Sequence, residues 1–392
     1  MRLCPFHPLS PPLSCAQSIR PIVVGDRNLK KQKDNNSKKK VIVQNNAKTV
    51  GGAAAAENLN VEGSPSEKVK KGPLYKRKGF LDLSGLDLLG DSIDVQVFSD
   101  LTNKTFQHDQ GVGDVMYDSG GKAGFKKKFW HGVADDGSEI NLLETTAGTV
   151  GSSTDIKRGY VYQIGIDAGG KSIVTETASN DFPPEHETPQ ESDAPDMSRW
   201  LKYEAVEKFP RSETEYDSRG PWGQRSLAVD DEGGNIDLMV VWTKDAECKQ
   251  SFLPEDCELT DITTANMEAL IALCVEETNA AYVLSGVESR LRLVHAYLDT
   301  DFSYPDNSDD IMVDVLADYK NTGDGKSDNV HVLREQYGAD VVAVLVGYSD
   351  GACGVGYVGP SKELMFSATS YVCATGVYTF GHEVGHNMVS YQ

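Results

Sequence analysis

From residue 16 to residue 247 the chain has no cysteine, which excludes a disulfide framework from that long stretch. It also lacks any unbroken apolar run of about 18 residues, the least that crosses a bilayer as a helix. Aromatic residues are 8% and hydrophobic residues 39% of the 392, on the low side for a globular chain, yet the length suffices for two compact domains plus tails at roughly 150 residues each. Basic charge is outnumbered over most of the chain. Residues 1–80 hold 16 Lys and Arg against 5 Asp and Glu, whereas the remainder carries 22 against 54. A body that acidic repels a phosphate backbone, so nucleic acid is excluded as the main partner. The basic segment itself (LKKQKDNNSKKK, KVKKG, YKRKG) has almost no interleaved aromatics and no periodicity, and reads as a solvated tail.

Four segments follow from composition. Residues 1–79 are basic and low in complexity, and are expected to be disordered. Residues 80–182 carry short β-like runs between Gly and Asp: IDVQVF (93–98), KKFWHGVA (127–134), RGYVYQIGID (158–167) and KSIVTETA (171–178) predict a small, mostly β domain. Residues 183–234 are rich in Pro, Glu, Asp and Ser, as an exposed acidic linker is, with Arg211, Arg219 and Arg225 open to trypsin-like cleavage. From 235 to 392 the order becomes strand, helix, strand, helix, strand. IDLMVVWT (236–243) and DVVAVLVGY (340–348) read as buried strands, and 289–302 and FSATSYVC (366–373) as further strands. Thr263–Leu284 has the spacing of an amphipathic helix, and 309–320 forms a second helix with acids in its first turn. GVGYVG (354–359) is short and glycine-flanked, as edge strands are. The alternation predicts an α/β domain with a mixed, mostly parallel sheet.

Cys248 and Cys257 bracket a short polar loop, and Cys353 and Cys373 bracket two strands. Either pair could be bridged, which would point to an oxidising compartment. Cys274 falls in a helical pattern and reads as a buried thiol. At the N-terminus, Pro5, Pro8, Pro11 and Pro12 interrupt what would be the apolar core of a secretory signal, so the segment is a poor one. Asn103 fits an N-x-[ST] sequon and Asn307 does not. TGDGKSDN (322–329) has the composition of a calcium loop, with Asp324 and Asp328 as oxygen donors, but lacks the spacing and downstream Glu of an EF-hand, and reads first as a turn.

The chemistry is concentrated in TFGHEVGHNM, 379–388. On a helix His382 and His386 lie four residues apart on one face, so both imidazoles can share one Zn²⁺ at about 2.0–2.1 Å. Glu383, beside the first histidine, is placed to take a proton from a water activated by the metal and pass it to a leaving amine.

With the CGVGYVG segment and the SYVC strand upstream, this stretch resembles the metzincin zinc metallopeptidases, most of all their reprolysin/adamalysin-like branch. The resemblance covers about 236–388. It implies a zinc-dependent endopeptidase acting on protein or peptide substrates, with His382 and His386 as ligands and Glu383 as the general base. Gly385 matches a frequent small residue, and Asn387 and Met388 a common continuation. Gly354, Val355, Gly356, Tyr357 and Val358 would form the edge strand along which substrate lies antiparallel. Cys353 and Cys373 resemble a disulfide pair flanking that strand, and secretion is implied. In the family pattern HExxHxxGxxH, Val389 stands where glycine is expected and Gln392 where the third histidine is expected. Glycine serves a sharp turn that a β-branched residue resists, and a neutral amide is a weak zinc ligand. Two accounts fit. The residues Val-Ser-Tyr are compatible with GTA-AGT-TAT, which contains a splice-donor sequence, so VSYQ reads as translated intron, with the genuine chain continuing from Met388. Alternatively the protein is a degenerate, inactive relative that binds or inhibits a partner. The resemblance also implies a zymogen whose 80–234 region is a propeptide. With no cysteine there to cap the metal, His108, His131 or His186 would be the candidate ligand for latency, each more simply a surface or turn histidine.

Overall fold

A computed structural model gives the fold. It describes residues 40–48, 75–83, 86, 88, 90–98, 100–109, 128–184, 235–305, 310–347, 351–358 and 362–388, all within one compact unit, Lys38–Gln392. The acidic linker apart from its first two residues, His186, Asn307, Val389 and Gln392 lie outside the described residues, as does most of the basic segment.

Nine strands close into a barrel. They are β1 (Lys40–Lys48), β2 (Arg77–Asp82), β3 (Ser92–Gln96), β4 (Lys104–His108), β5 (Lys128–Ala134), β6 (Glu139–Thr145), β7 (Gly148–Asp155), β8 (Tyr160–Ile166) and β9 (Ser172–Ala178). From β3 to β9 each strand pairs antiparallel with the next. β2 returns against β9, and β1 closes the ring by pairing antiparallel with β2 and parallel with β3. Two of these strands differ from the sequence expectation, because β1 and the start of β2 fall inside the segment expected to be disordered. The cause is tertiary: β1 carries the β-branched run Val41-Ile42-Val43, whose backbone finds ladder partners only once β2 and β3 are in place.

Period-2 alternation divides the barrel side chains between two cores. Trp130, Ile140, Leu142, Tyr162, Ile164 and Val174 fill the interior. Phe129, Leu143 and Val150 point outward and, with Ile166 at the end of β8, pack on Ala269, Ala272, Leu273 and Ala280 of the second lobe.

That lobe holds β10 (Asn235–Trp242), α1 (Lys244–Gln250), α2 (Asp261–Leu284), β11 (Arg290–Leu298), α3 (Ile311–Lys320), α4 (Asn329–Tyr337), β12 (Val341–Val346), β13 (Gly354–Gly356), β14 (Phe366–Ser370) and α5 (Thr379–Met388). Its five strands run in the order β11-β10-β12-β14-β13. β10 pairs parallel with β11 and β12, β12 pairs parallel with β14, and β13 lies antiparallel at the edge. Over both sheets antiparallel pairing predominates, because the barrel supplies most of the strands. The architecture is mixed α/β. Leu238, Val240 and Trp242 face α2 and α5, and Met239 and Val241 face α3 and α4.

α2 departs from the amphipathic helix expected of it. Met267, Leu270 and Ile271 pack on the sheet while Ala269, Ala272 and Ala280 pack on the barrel, so it is apolar on two faces, as a helix between two layers must be. Its start is fixed by a reciprocal cap: the Thr263 amide donates to Thr260 Oγ1 and the Thr260 amide to Thr263 Oγ1. Both cysteine pairs are bridged, Cys248–Cys257 and Cys353–Cys373, and Cys274 is a buried thiol. In the 322–329 segment Asp328 accepts from the Gly323 and Gly325 amides at 2.7 and 3.0 Å, and Asp324 from the Lys326 amide at 2.9 Å. Those carboxylates hold a turn that leads into α4.

Candidate metal centre

α5 begins where the chain leaves β14, passes Cys373 and turns through Gly376 and Tyr378, whose φ values are +80° and +62°. Phe380 and Val384, four residues apart, fix one face of the helix in the core beneath the sheet. The register of the remaining side chains follows. His382 is exposed and His386 half-buried, with ring centroids 4.5 Å apart and ring planes perpendicular. Two imidazoles thus converge on one open face, a donor set suited to a zinc ion. Among the described residues no group of three or more His, Cys, Asp or Glu is placed to hold a metal. The fit therefore extends to two ligands.

Glu383 is buried on the side of α5 that meets β13. Edge strand and helix approach so closely that side chains are excluded between them. A Cβ on Gly354 would lie 2.7 Å from Glu383 Cγ and 2.9 Å from its Oε1, and one on Gly356 would lie 2.6 Å from the Glu383 carbonyl oxygen. The two glycines are what let a strand run across the carboxylate. Val355 points into the opposite core and Tyr357 packs beside it. Burial raises the Tyr357 phenol above its ordinary range. Gly385 is different, since a Cβ there would meet nothing within 4 Å; packing among the described residues does not demand a small residue.

Asn387 clamps this arrangement. Fully buried, its Nδ2 donates toward the carbonyls of Tyr357, Leu364 and Phe366 at 2.8, 3.2 and 2.9 Å. It thereby ties the last turn of α5 to the end of the β13–β14 ladder, where strand pairing stops. The Cys353–Cys373 bridge ties the other end of β13 to the loop entering α5. Gly381 brings α5 onto α2, where an added Cβ would meet Thr278 Oγ1 at 2.8 Å. Neither Asn387 nor Gly381 stands out in the sequence beyond its place in the motif.

The barrel histidines sit elsewhere. His108 stacks on Trp130 with ring centroids 5.4 Å apart. His131 is buried, its Nδ1 2.8 Å from Asn141 Oδ1. The barrel meets the lobe through α2 and the 372–378 loop instead. Gln163 Nε2 donates to the carbonyls of Val372 and Thr375 at 2.8 and 3.0 Å, and the Tyr378 hydroxyl to Glu139 Oε2 at 3.0 Å. After β9 the chain reaches the start of β13, where the Cys353 amide donates to the Pro184 carbonyl at 2.9 Å.

Residues 268–391 match the family model described as Metallo-peptidase family M12B Reprolysin-like. A peptidyl-Asp metalloendopeptidase of Stenotrophomonas maltophilia is 37% identical over 122 residues, 31% of this chain and 28% of that protein. One of Pseudomonas aeruginosa is 34% identical over 177 residues, 39% of this chain and 24% of that protein. The chain thus spans about a quarter of the length of these curated relatives. Among solved structures, metalloproteinase-II from Bacteroides fragilis aligns at a TM-score of 0.35 and 12% identity, over 76% of this chain and 79% of that one. The matched segment, which holds the whole of α5, is similar to the reprolysin-like metallopeptidases.

Proposed function

We propose that the C-terminal lobe is the core of a zinc-dependent endopeptidase, and that the barrel is a pro-domain docked behind its active-site helix. The observation that carries the reading is the stacking of three features at one sheet edge: two convergent histidines, a carboxylate beside them, and a glycine strand drawn tight across that carboxylate. His382 and His386 would hold the zinc, with a third donor from outside the described residues. When bound, the ion would supply Lewis-acid polarisation and acidify a water.

The protein's own groups do the rest. Gly354–Val358 offer an edge to which an extended peptide can add antiparallel, with backbone hydrogen bonds fixing its register. Glu383 accepts a proton from the attacking water at a carboxylate oxygen and returns it to the amine nitrogen as the peptide bond breaks. Asn387 and the Cys353–Cys373 bridge hold the strand at a constant height over that carboxylate. Two disulfides suit secretion, and the zymogen reading rests on the barrel preceding the lobe in the chain. Because the relatives are peptidyl-Asp metalloendopeptidases, Asp-containing peptides are the first substrates to try.

A second reading, an inactive relative that binds or inhibits a partner, is favoured by Val389 and Gln392 at the positions of the family's glycine and third histidine. Metal analysis and hydrolysis of Asp-containing peptides separate the two. The doubly substituted chain Val389→Gly with Gln392→His is expected to bind zinc at least tenfold more tightly than the 392-residue chain. Hydrolysis is expected to vanish with a chelator and return with Zn²⁺. Hydrolysis indifferent to the chelator overturns the zinc mechanism, and stoichiometric zinc without hydrolysis selects the second reading.

A further inference from the structure

The contact between barrel and lobe contains an acid in an unusual position. Glu277 is 1% exposed, on a helix covered on two faces. Its Oε1 lies 2.5 Å from Ser152 Oγ of β7, and its Oε2 accepts from the Gly376 amide at 2.9 Å. One side chain therefore bonds at once to the barrel and to the loop that enters α5. The loop is held closely. Gly376 at φ +80° has no room for a side chain, since a Cβ would lie 2.7 Å from Val161 Cγ1. Gln163 and Glu139 grip the loop on either side, through Val372 and Thr375 and through Tyr378.

We propose that this face of the lobe is a proton-linked docking surface for the barrel: Glu277, when protonated, holds barrel and loop together, and its ionisation releases them. Ser152 Oγ and the Gly376 amide both donate to the carboxyl, and what favours the neutral acid is its burial beside Glu139 rather than these bonds. The groups facing it are Cys274 on its own helix, Glu139 and Asn141 from β6, Ser152 from β7 and Tyr378 from the loop, with His131 of β5 behind Asn141. Of these only His131 can carry a positive charge, and its bond to Asn141 places that amide between it and Glu277.

Burial, first among the causes, pushes the carboxyl up from 4.5 to about 7, with Glu139 adding like-charge repulsion and the bonds from Ser152 and Gly376 opposing. The sign follows by linkage. A group whose docked value is raised binds its proton more tightly when docked, so its contribution to docking is complete below its undocked value. That contribution is lost as pH climbs through the docked value. Between about pH 4.5 and pH 7 the docking equilibrium is expected to weaken by roughly 300-fold, a factor of ten for each step of one in pH. The linkage holds whether or not the lobe is an active peptidase.

The test is amide hydrogen exchange in the full chain, read by mass spectrometry over residues 372–378 at about pH 5 and about pH 8 and corrected for chemical exchange rate. Protection is expected to fall by roughly 100-fold at the higher pH in the wild type and to stay level in Glu277→Gln, which mimics the neutral acid. Equal protection at both values in the wild type, or a variant that tracks it, overturns the proposal. Should Glu277→Gln not fold, infrared titration of the wild-type chain decides: a buried carboxylic acid band lost near pH 7 supports it, and no such band overturns it.

Discussion

The barrel and the five-stranded sheet solve the problem of sheet edges in opposite ways. The barrel closes on itself, so every strand has two neighbours and no backbone row is left to pair with another chain. The second sheet ends on one side in β13, three residues long and glycine at both ends, with no strand beyond it among the described residues. The candidate metal and acid–base residues gather at that edge. His382, Glu383, His386 and Asn387 all stand on the helix beneath it, whereas the buried polar groups of the barrel face inward or toward the lobe. A closed sheet can brace and an edge strand can receive, and the roles proposed for the two parts of this chain divide along that line.

The sharpest way to break the comparison is to remove the carboxylate at the β13 edge. Glu383→Ala is expected to lower peptide hydrolysis roughly 100- to 10,000-fold while zinc content is unchanged; loss of both together would mean that Glu383 is structural. Next is Gly356→Val, which forces β13 off α5 because its Cβ would overlap the Glu383 carbonyl. Overpacking of this kind costs about 1–3 kcal/mol and should raise KM for peptides, measurable by steady-state kinetics beside a denaturant titration. Asn387→Leu removes the amide that reaches three carbonyls. It is expected to cost about 1–3 kcal/mol as those buried acceptors lose their donor, with faster amide exchange at the end of the β13–β14 ladder. The smallest effect belongs to the barrel's outer surface. Ile156, 61% exposed in the β7–β8 turn, changed to Ser should move stability by less than about 0.5 kcal/mol and leave hydrolysis untouched. A large effect there would show that the closed sheet also has a working surface.

Much of the lobe is legible in sequence because its signals are local. Val341–Val346 is a run with no polar residue, as a strand covered on both faces requires. His382 and His386 declare their shared helical face by spacing alone. Glycines 354 and 356 mark an edge strand, though the reason for both, the carboxylate pressed beneath them, belongs to the assembled fold. Strand β7 is hard to read because Gly, Ser and Thr dilute its alternation: GTVGSSTD offers one large apolar residue in eight, and β4, KTFQH, offers one in five. Their pairing rests on neighbours instead. Helices α1 and α4 escape the sequence pattern for a related reason, being short and mostly polar, KDAECKQ and NVHVLREQY. Two adjacent acids in the middle of an apolar helix, Glu276 and Glu277, are the available hint of a buried polar contact.

What the sequence determined by itself is whatever depends on a few consecutive residues: the shared helical face of His382 and His386 on α5, the helical run of α2, and the strands that are apolar throughout. These are fixed by side-chain spacing against a backbone that repeats every 2 or about 3.6 residues. Only the tertiary structure decided that Lys40–Lys48 would close a barrel, that α2 would be covered on both faces, that Asn387 would clamp the edge strand and that Glu277 would be sealed between barrel and loop. Each of those joins segments far apart in the chain, and a buried group's partner is set by what folds against it, which no local pattern encodes.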